Sequence, residues 1–126
     1  MATILIVDDS CDAGAALAAL LRHRGHRAVH ASGGTAMDYV VREMPDLVVL
    51  DLMMPDVTGL EVLRRIRQDA RTARVPVAMY TAAGEGPEAQ AKEAGVDAYW
   101  VKGVVSAEEI LDRIDGLLAP TAAATR

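Results

Sequence analysis

The sequence predicts an α/β domain: a parallel sheet with helices on both faces. Two short runs, Ile4–Val7 and Leu47–Leu50, are apolar at every residue, as strands covered on both sides must be. Longer stretches between such runs carry apolar residues at helical spacing. The alternation recurs five times along the chain, which is the pattern of βα units. At 126 residues the chain suits one domain.

The elements follow in order. After the first strand, Ala15, Leu17, Ala18, Leu20 and Leu21 mark a helix from about Cys11 to Arg24, with Gly25 as its stop. Arg27–Ala31 is a weaker strand. Gly33-Gly34-Thr35 opens a second helix with Met37, Val40, Val41 and Met44 on one face, and Pro45 ends it. The strand at 47–50 closes on Asp51. Residues 55–59 make a loop, and Leu60, Leu63, Ile66 and Arg67 continue as a helix to about Ala70. Val75–Tyr80 reads as a strand with Pro76 near its start, where a missing N–H is tolerated. Pro87 fits the first turn of a short helix ending at Gly95, and Ala98–Val101 is the fifth strand. Ser106 and Glu109 form a capping box for a last helix to Leu118. Residues 1–119 are expected to form the domain and 120–126 a disordered tail.

Composition narrows the function. The chain is 52% hydrophobic and 25% charged, which excludes a disordered solvating segment. It has no Phe and only 3% aromatic residues, so its core is aliphatic. A net charge of −5 argues against direct nucleic-acid binding, which needs a basic face. The single cysteine, Cys11, forms no internal disulfide and suits a reducing compartment. The opening MATILIVDD has no basic segment before its apolar run, so no secretory leader is expected. No apolar run approaches the ~20 residues of a membrane span, and a cytoplasmic location is expected.

Ligands of open parallel sheets bind beyond the carboxyl ends of the strands, where strand order reverses. Asp8-Asp9 follow the first strand, Asp51 the third, Thr81 the fourth and Lys102 the fifth. All five polar residues therefore collect at one edge. Clustered carboxylates repel one another unless a cation neutralises them, and oxygen-only ligands suit a hard ion such as Mg²⁺. Thr81 and Lys102 add a donor and a positive charge for an anionic oxygen. A metal, a carboxylate nucleophile and a cationic clamp together match phosphoryl transfer.

These residues, in the segments IVDD, LVVLDLMMPDVTG, YTAA and YWVK, make the chain resemble the receiver domain of bacterial two-component response regulators over residues 3–118. The resemblance implies a flavodoxin-like, doubly wound (βα)5 sheet of strand order 2-1-3-4-5. It implies that Asp51 is the phosphoacceptor. Mg²⁺ or Mn²⁺ would be held by Asp8, Asp9, Asp51 and the backbone carbonyl of Met53. Thr81 and Lys102 would contact the phosphoryl oxygens, and Tyr99 would be the aromatic switch that moves with Thr81. The implied partners are a sensor histidine kinase or phosphotransfer protein, and a downstream protein on the face of the fourth helix, fifth strand and fifth helix. Homodimerisation on phosphorylation is a further implied interaction. Such a domain catalyses its own phosphorylation and dephosphorylation without turning over a substrate as an enzyme does.

Two departures stand out. Gly103 follows the lysine where the family usually has Pro, and the positions that tune phosphoaspartate hydrolysis are Met53 and Ala83, neither of which orients a water. A receiver-shaped interaction module that is never phosphorylated is a rival reading, opposed by the intact set of acids, Thr81 and Lys102. A Mg²⁺-dependent aspartate-nucleophile phosphatase is another, opposed by Met53 where such enzymes place a second acid. His23, His26 and His30 are expected to be solvated, as is the arginine-rich helix at 64–74. Residues 75–126 carry 4 basic and 8 acidic side chains, so the predicted output face is acidic and favours a basic or apolar partner.

Overall fold

Alternation of side chains across each strand sorts the core into two layers. In a computed structural model, which describes residues 2–55 and 57–124 and side-chain surroundings as far as Leu118, the strands are β1 (Thr3–Val7), β2 (Arg27–Ala31), β3 (Leu47–Leu50), β4 (Val77–Thr81) and β5 (Ala98–Val101). The helices are α1 (Cys11–His23), α2 (Ala36–Glu43), α3 (Gly59–Gln68), α4 (Glu88–Glu93) and α5 (Ala107–Ala124). All strands pair in parallel, in the order β2-β1-β3-β4-β5. This is the doubly wound sheet of order 2-1-3-4-5.

Leu5, Val7, Val48, Leu50, Val77 and Met79 face the side where Val40 of α2, Leu63 and Ile66 of α3 and Ala91 of α4 pack. Ile4, Ile6, Leu47, Val49, Ala78 and Trp100 face Leu17 and Leu21 of α1 and Ile110 and Ile114 of α5. Burying one such aliphatic side chain contributes about 1.5–3 kcal/mol, so both faces of β1 and β3 are committed to packing. Trp100 joins the α1/α5 layer and its neighbour Tyr99 the other.

Local chemistry sets the helix ends. Ser10 caps α1 by accepting the Ala13 N–H at 3.3 Å; Thr58 does the same for Glu61 at 3.2 Å. The predicted capping box is reciprocal: Glu109 N–H donates to Ser106 Oγ at 3.2 Å, and Ser106 N–H to Glu109 Oε1 at 3.3 Å.

Several expectations shift. β4 begins at Val77 rather than Val75, because the Val75 N–H is used in a turn on the Thr72 carbonyl, and it takes in Thr81 as its last residue. Met44 leaves the core face: it ends α2 at φ +43 and is 51% exposed, since the left-handed turn points its side chain outward. α5 continues past Leu118 to Ala124. The expected tail at 120–126 falls wholly outside the residues whose surroundings are described. Arg67 is not a solvated arginine; its guanidinium donates to the carbonyls of Ala73, Val75 and Gly95 and pairs with Asp97.

Candidate functional site

Parallel register places the acids abreast. Val7 pairs with Leu50, so the next residues, Asp8 and Asp51, leave adjacent strands at the point where strand order reverses. Asp51 N–H donates to the Val7 carbonyl at 2.9 Å. On the other side Thr81 pairs with Val101, and Lys102 N–H donates to the Thr81 carbonyl at 2.8 Å.

Asp8 is only 7% exposed. Its Oδ1 accepts the Ser10 N–H at 2.8 Å and its Oδ2 the Lys102 ammonium at 3.3 Å. Asp51 lies beside this pair, its Oδ1 accepting the Met53 N–H at 3.3 Å. Burial pushes the Asp51 carboxyl above the ordinary carboxylate range. The Lys102 charge pulls it down, the Asp8 charge pushes it up again, and the Met53 N–H and Thr81 hydroxyl favour the ionised form. Asp8, Asp51 and Lys102 share the lining of a cavity of about 230 Å³ with Tyr80 and the small side chains Ala13 and Ala16.

The other predicted residues are placed less uniformly. Asp9 turns to Gly33, whose N–H it accepts at 2.8 Å. Thr81 is fully buried and its Oγ1 accepts the Ala83 N–H at 3.1 Å. Tyr99 donates its hydroxyl to the Gly84 carbonyl at 2.7 Å; burial, with the Glu88 charge, holds its phenol above the ordinary range. Met53 is 66% exposed at the rim. Gly103 adopts φ +88, and no peptide bond among the described residues is cis.

The donor set fits a hard divalent cation in its chemistry: the side chains are oxygen-only, and Asp8 and Asp51 disfavour each other's charge. It is incomplete in this arrangement. Among the described residues no three acidic, histidine or cysteine side chains converge closely enough to hold an ion, and Asp9 would have to leave Gly33 to join.

Four contributors escape sequence reasoning. His30 is not solvated: its Nε2 donates to the Asp8 backbone carbonyl at 2.7 Å and fixes the acid loop from β2. Gly14 admits that ring, since a Cβ there would lie 2.2 Å from His30 Nε2; a glycine inside a helical pattern is the available signal. Tyr80 sets its ring 5.3 Å, centroid to Nζ, from the Lys102 ammonium. Gly59 lets α3 press against the end of β3, where a Cβ would meet the Asp51 carbonyl oxygen at 2.4 Å.

The model of the response regulator receiver domain matches residues 4–115. The chain is 36% identical to protein PilH of Pseudomonas aeruginosa, over 94% of this chain and 99% of that protein. It is also 36% identical to the phosphate regulon transcriptional regulatory protein PhoB of the same organism, over 94% of this chain and 52% of PhoB. The chain thus spans about half the length of that regulator and nearly all of PilH. The structure of the chemotaxis response regulator CheY4 of Vibrio cholerae superposes with a TM-score of 0.85 at 25% identity, over 94% of this chain and 99% of that one.

Proposed function

This chain belongs to the response regulator receiver family, and from that premise we propose that it is a phosphorylatable switch whose acceptor is Asp51. Receiver domains are signalling switches of two-component systems rather than conventional enzymes. The observation that supports Asp51 is its position: half-buried where strand order reverses, flanked by Asp8 and Lys102.

The step begins with a carboxylate oxygen of Asp51 attacking phosphorus in the phosphohistidine of a sensor kinase or phosphotransfer protein. The phosphorus–nitrogen bond breaks, its electron pair leaves with the imidazole, and an acyl phosphate remains on Asp51. Asp8, Asp51, the Met53 carbonyl and an Asp9 freed from Gly33 would hold Mg²⁺ or Mn²⁺, which would neutralise the clustered negative charge. Lys102, paired with Asp8 at rest, is the cation within the pocket that meets the developing charge on the phosphoryl oxygens. Met53 and Ala83 carry no group that orients a hydrolytic water, so the acyl phosphate is long-lived.

Output follows from one loop held at two adjacent points. Thr81 grips Ala83 and Tyr99 grips Gly84. When Thr81 turns its hydroxyl to a phosphoryl oxygen it releases Ala83, the loop moves, and Tyr99 loses or resets its bond. That shifts a two-state equilibrium at the face of α4, β5 and α5, which binds a downstream partner or a second copy. Glu108 is the cleaner charge-reversal probe of that face, because Asp112 is engaged by Arg24 at 3.0 Å.

The test is incubation with acetyl phosphate, with and without Mg²⁺, beside Asp51→Asn, read by intact mass. One phosphoryl adduct requiring both Mg²⁺ and Asp51 is expected. No adduct under any condition leaves a receiver-shaped interaction module.

A further inference from the structure

We propose that Tyr80 is the positioning residue of Lys102, its ring forming the seat that holds the ammonium over the acid pocket; the catalytic consequence rests on the switch reading above. Lys102 Nζ lies 3.3 Å from Asp8 Oδ2 and 5.3 Å from the centroid of the Tyr80 ring, within the ~6 Å range of a cation–π contact. The ammonium therefore has a carboxylate partner reaching from β1 and an aromatic partner reaching from β4.

The backbone of Lys102 is fixed, and its side chain is the part that needs a seat. Its N–H is bonded to Thr81, and it bridges to Val105. The residue after it is Gly103 at φ +88, and Val104 beyond is 74% exposed, so neither of the next two residues lays a side chain across the lysine stem. A free lysine side chain loses rotamer entropy on being ordered, and one partly exposed ion pair with Asp8 offsets little of that loss. Tyr80 supplies the second contact. It precedes Thr81 on β4, so its ring leaves the opposite face of the strand and packs in the α1/α5 layer, while Thr81 faces the other way. One dipeptide thereby serves both sides of the site: the hydroxyl of Thr81 and the ring beneath Lys102. A leucine at position 80 would keep the layer apolar but present no negative ring face.

The chain has two lysines, Lys92 and Lys102, which makes the seat directly observable. Reductive methylation with ¹³C-formaldehyde keeps the charge and gives one dimethyl-lysine signal for each. The Lys102 signal should lie upfield of Lys92 through the ring current of Tyr80, stay there in Tyr80→Phe and return to the Lys92 position in Tyr80→Leu. In unmethylated protein, acetyl phosphate should modify Tyr80→Phe at the wild-type rate and Tyr80→Leu roughly three- to tenfold more slowly, the range of one cation–π contact. Thermal midpoints show whether each variant is folded, and Tyr80→Met replaces Tyr80→Leu if the latter is not. A Lys102 signal that does not respond to loss of the ring overturns the proposal, as does an unchanged rate once that signal has moved. If the wild type accepts no phosphoryl group, the switch reading fails, and the methyl spectrum alone decides whether the seat exists.

Discussion

Two aspartates at opposite ends of the sheet are shifted in opposite directions. Asp115, on α5 at the amino edge, is held below the ordinary range: burial acts to raise it, but hydrogen bonds from His26 and Arg24 outweigh that. His26 Nδ1 accepts the Ala2 N–H at 3.4 Å, which leaves Nε2 to donate to Asp115 at 2.9 Å. Arg24 reaches both Asp112 and Asp115. Asp51, at the carboxyl edge, is held above the ordinary range because burial wins and Asp8 adds to it. One end closes its charges into a clasp between α1, β2 and α5, and the other keeps two acids under tension with one lysine between them. The clasp closes on itself, whereas under the proposed function the open set would be completed by a bound ion and a phosphoryl group. Departures from local satisfaction collect at functional sites for that reason.

The largest test of this contrast is Gly59→Val. The carboxyl edge is electrostatically open but sterically closed, and a Cβ 2.4 Å from the Asp51 carbonyl oxygen must displace backbone. A loss of about 3 kcal/mol in urea unfolding is expected; a variant of wild-type stability would show that the edge is soft. Next, Mg²⁺ at ten times its dissociation constant should stabilise the wild type by about 1.4 kcal/mol and Asp8→Asn much less, read as the shift in Tm. Equal shifts would place the ion elsewhere.

Asp115→Asn probes the clasp. With a depressed native pKa, Asp115 contributes stability above the ordinary carboxylate value that is lost as pH falls through the native one. The variant should therefore be less stable by about 1 kcal/mol at pH 7, with the difference closing as pH falls from the ordinary carboxylate value through the lowered native one. Asp51→Asn should behave in the opposite sense. A raised native pKa means stability present below the ordinary value and lost as pH rises through the native one. At pH 7 the ionised Asp51 is a liability, and its removal should raise Tm by roughly 2 °C, a gain that vanishes in acid. If both variants moved Tm in the same direction at pH 7, the contrast between the two edges would be wrong.

Much of the fold was legible because β1 from Ile4 onward and β3 are buried on both faces and so carry no polar residue until the strand ends. The same property made Asp8, Asp51 and Lys102 legible, since a charge directly after an apolar run has to sit at the sheet edge. Thr81 was harder to read: alone it is an ordinary strand-end hydroxyl, and Pro76 drew the predicted start of its strand two residues too early. Asp9 read as a partner of Asp8, yet its carboxylate is satisfied by a backbone N–H more than twenty positions away. His26 and His30 read as solvated because their acceptors, Asp115 and the Asp8 carbonyl, are near only after α5 has packed on the sheet and β2 has docked on β1.

By itself the amino-acid sequence determined the alternation of strand and helix, the capping box at Ser106 and Glu109, and the edge at which the charged residues gather. These depend on periodicity and on hydrogen bonds spanning three or four residues, and such interactions are written into neighbouring positions. Only the tertiary structure decided which oxygen meets which donor: Asp8 with Lys102, Asp9 with Gly33, Asp115 with His26, and the Tyr80 ring with the Lys102 ammonium. Those pairings depend on strand adjacency and register between segments far apart in the chain. Their energies arise when burial removes water from both partners at once, a condition that no local stretch of sequence contains.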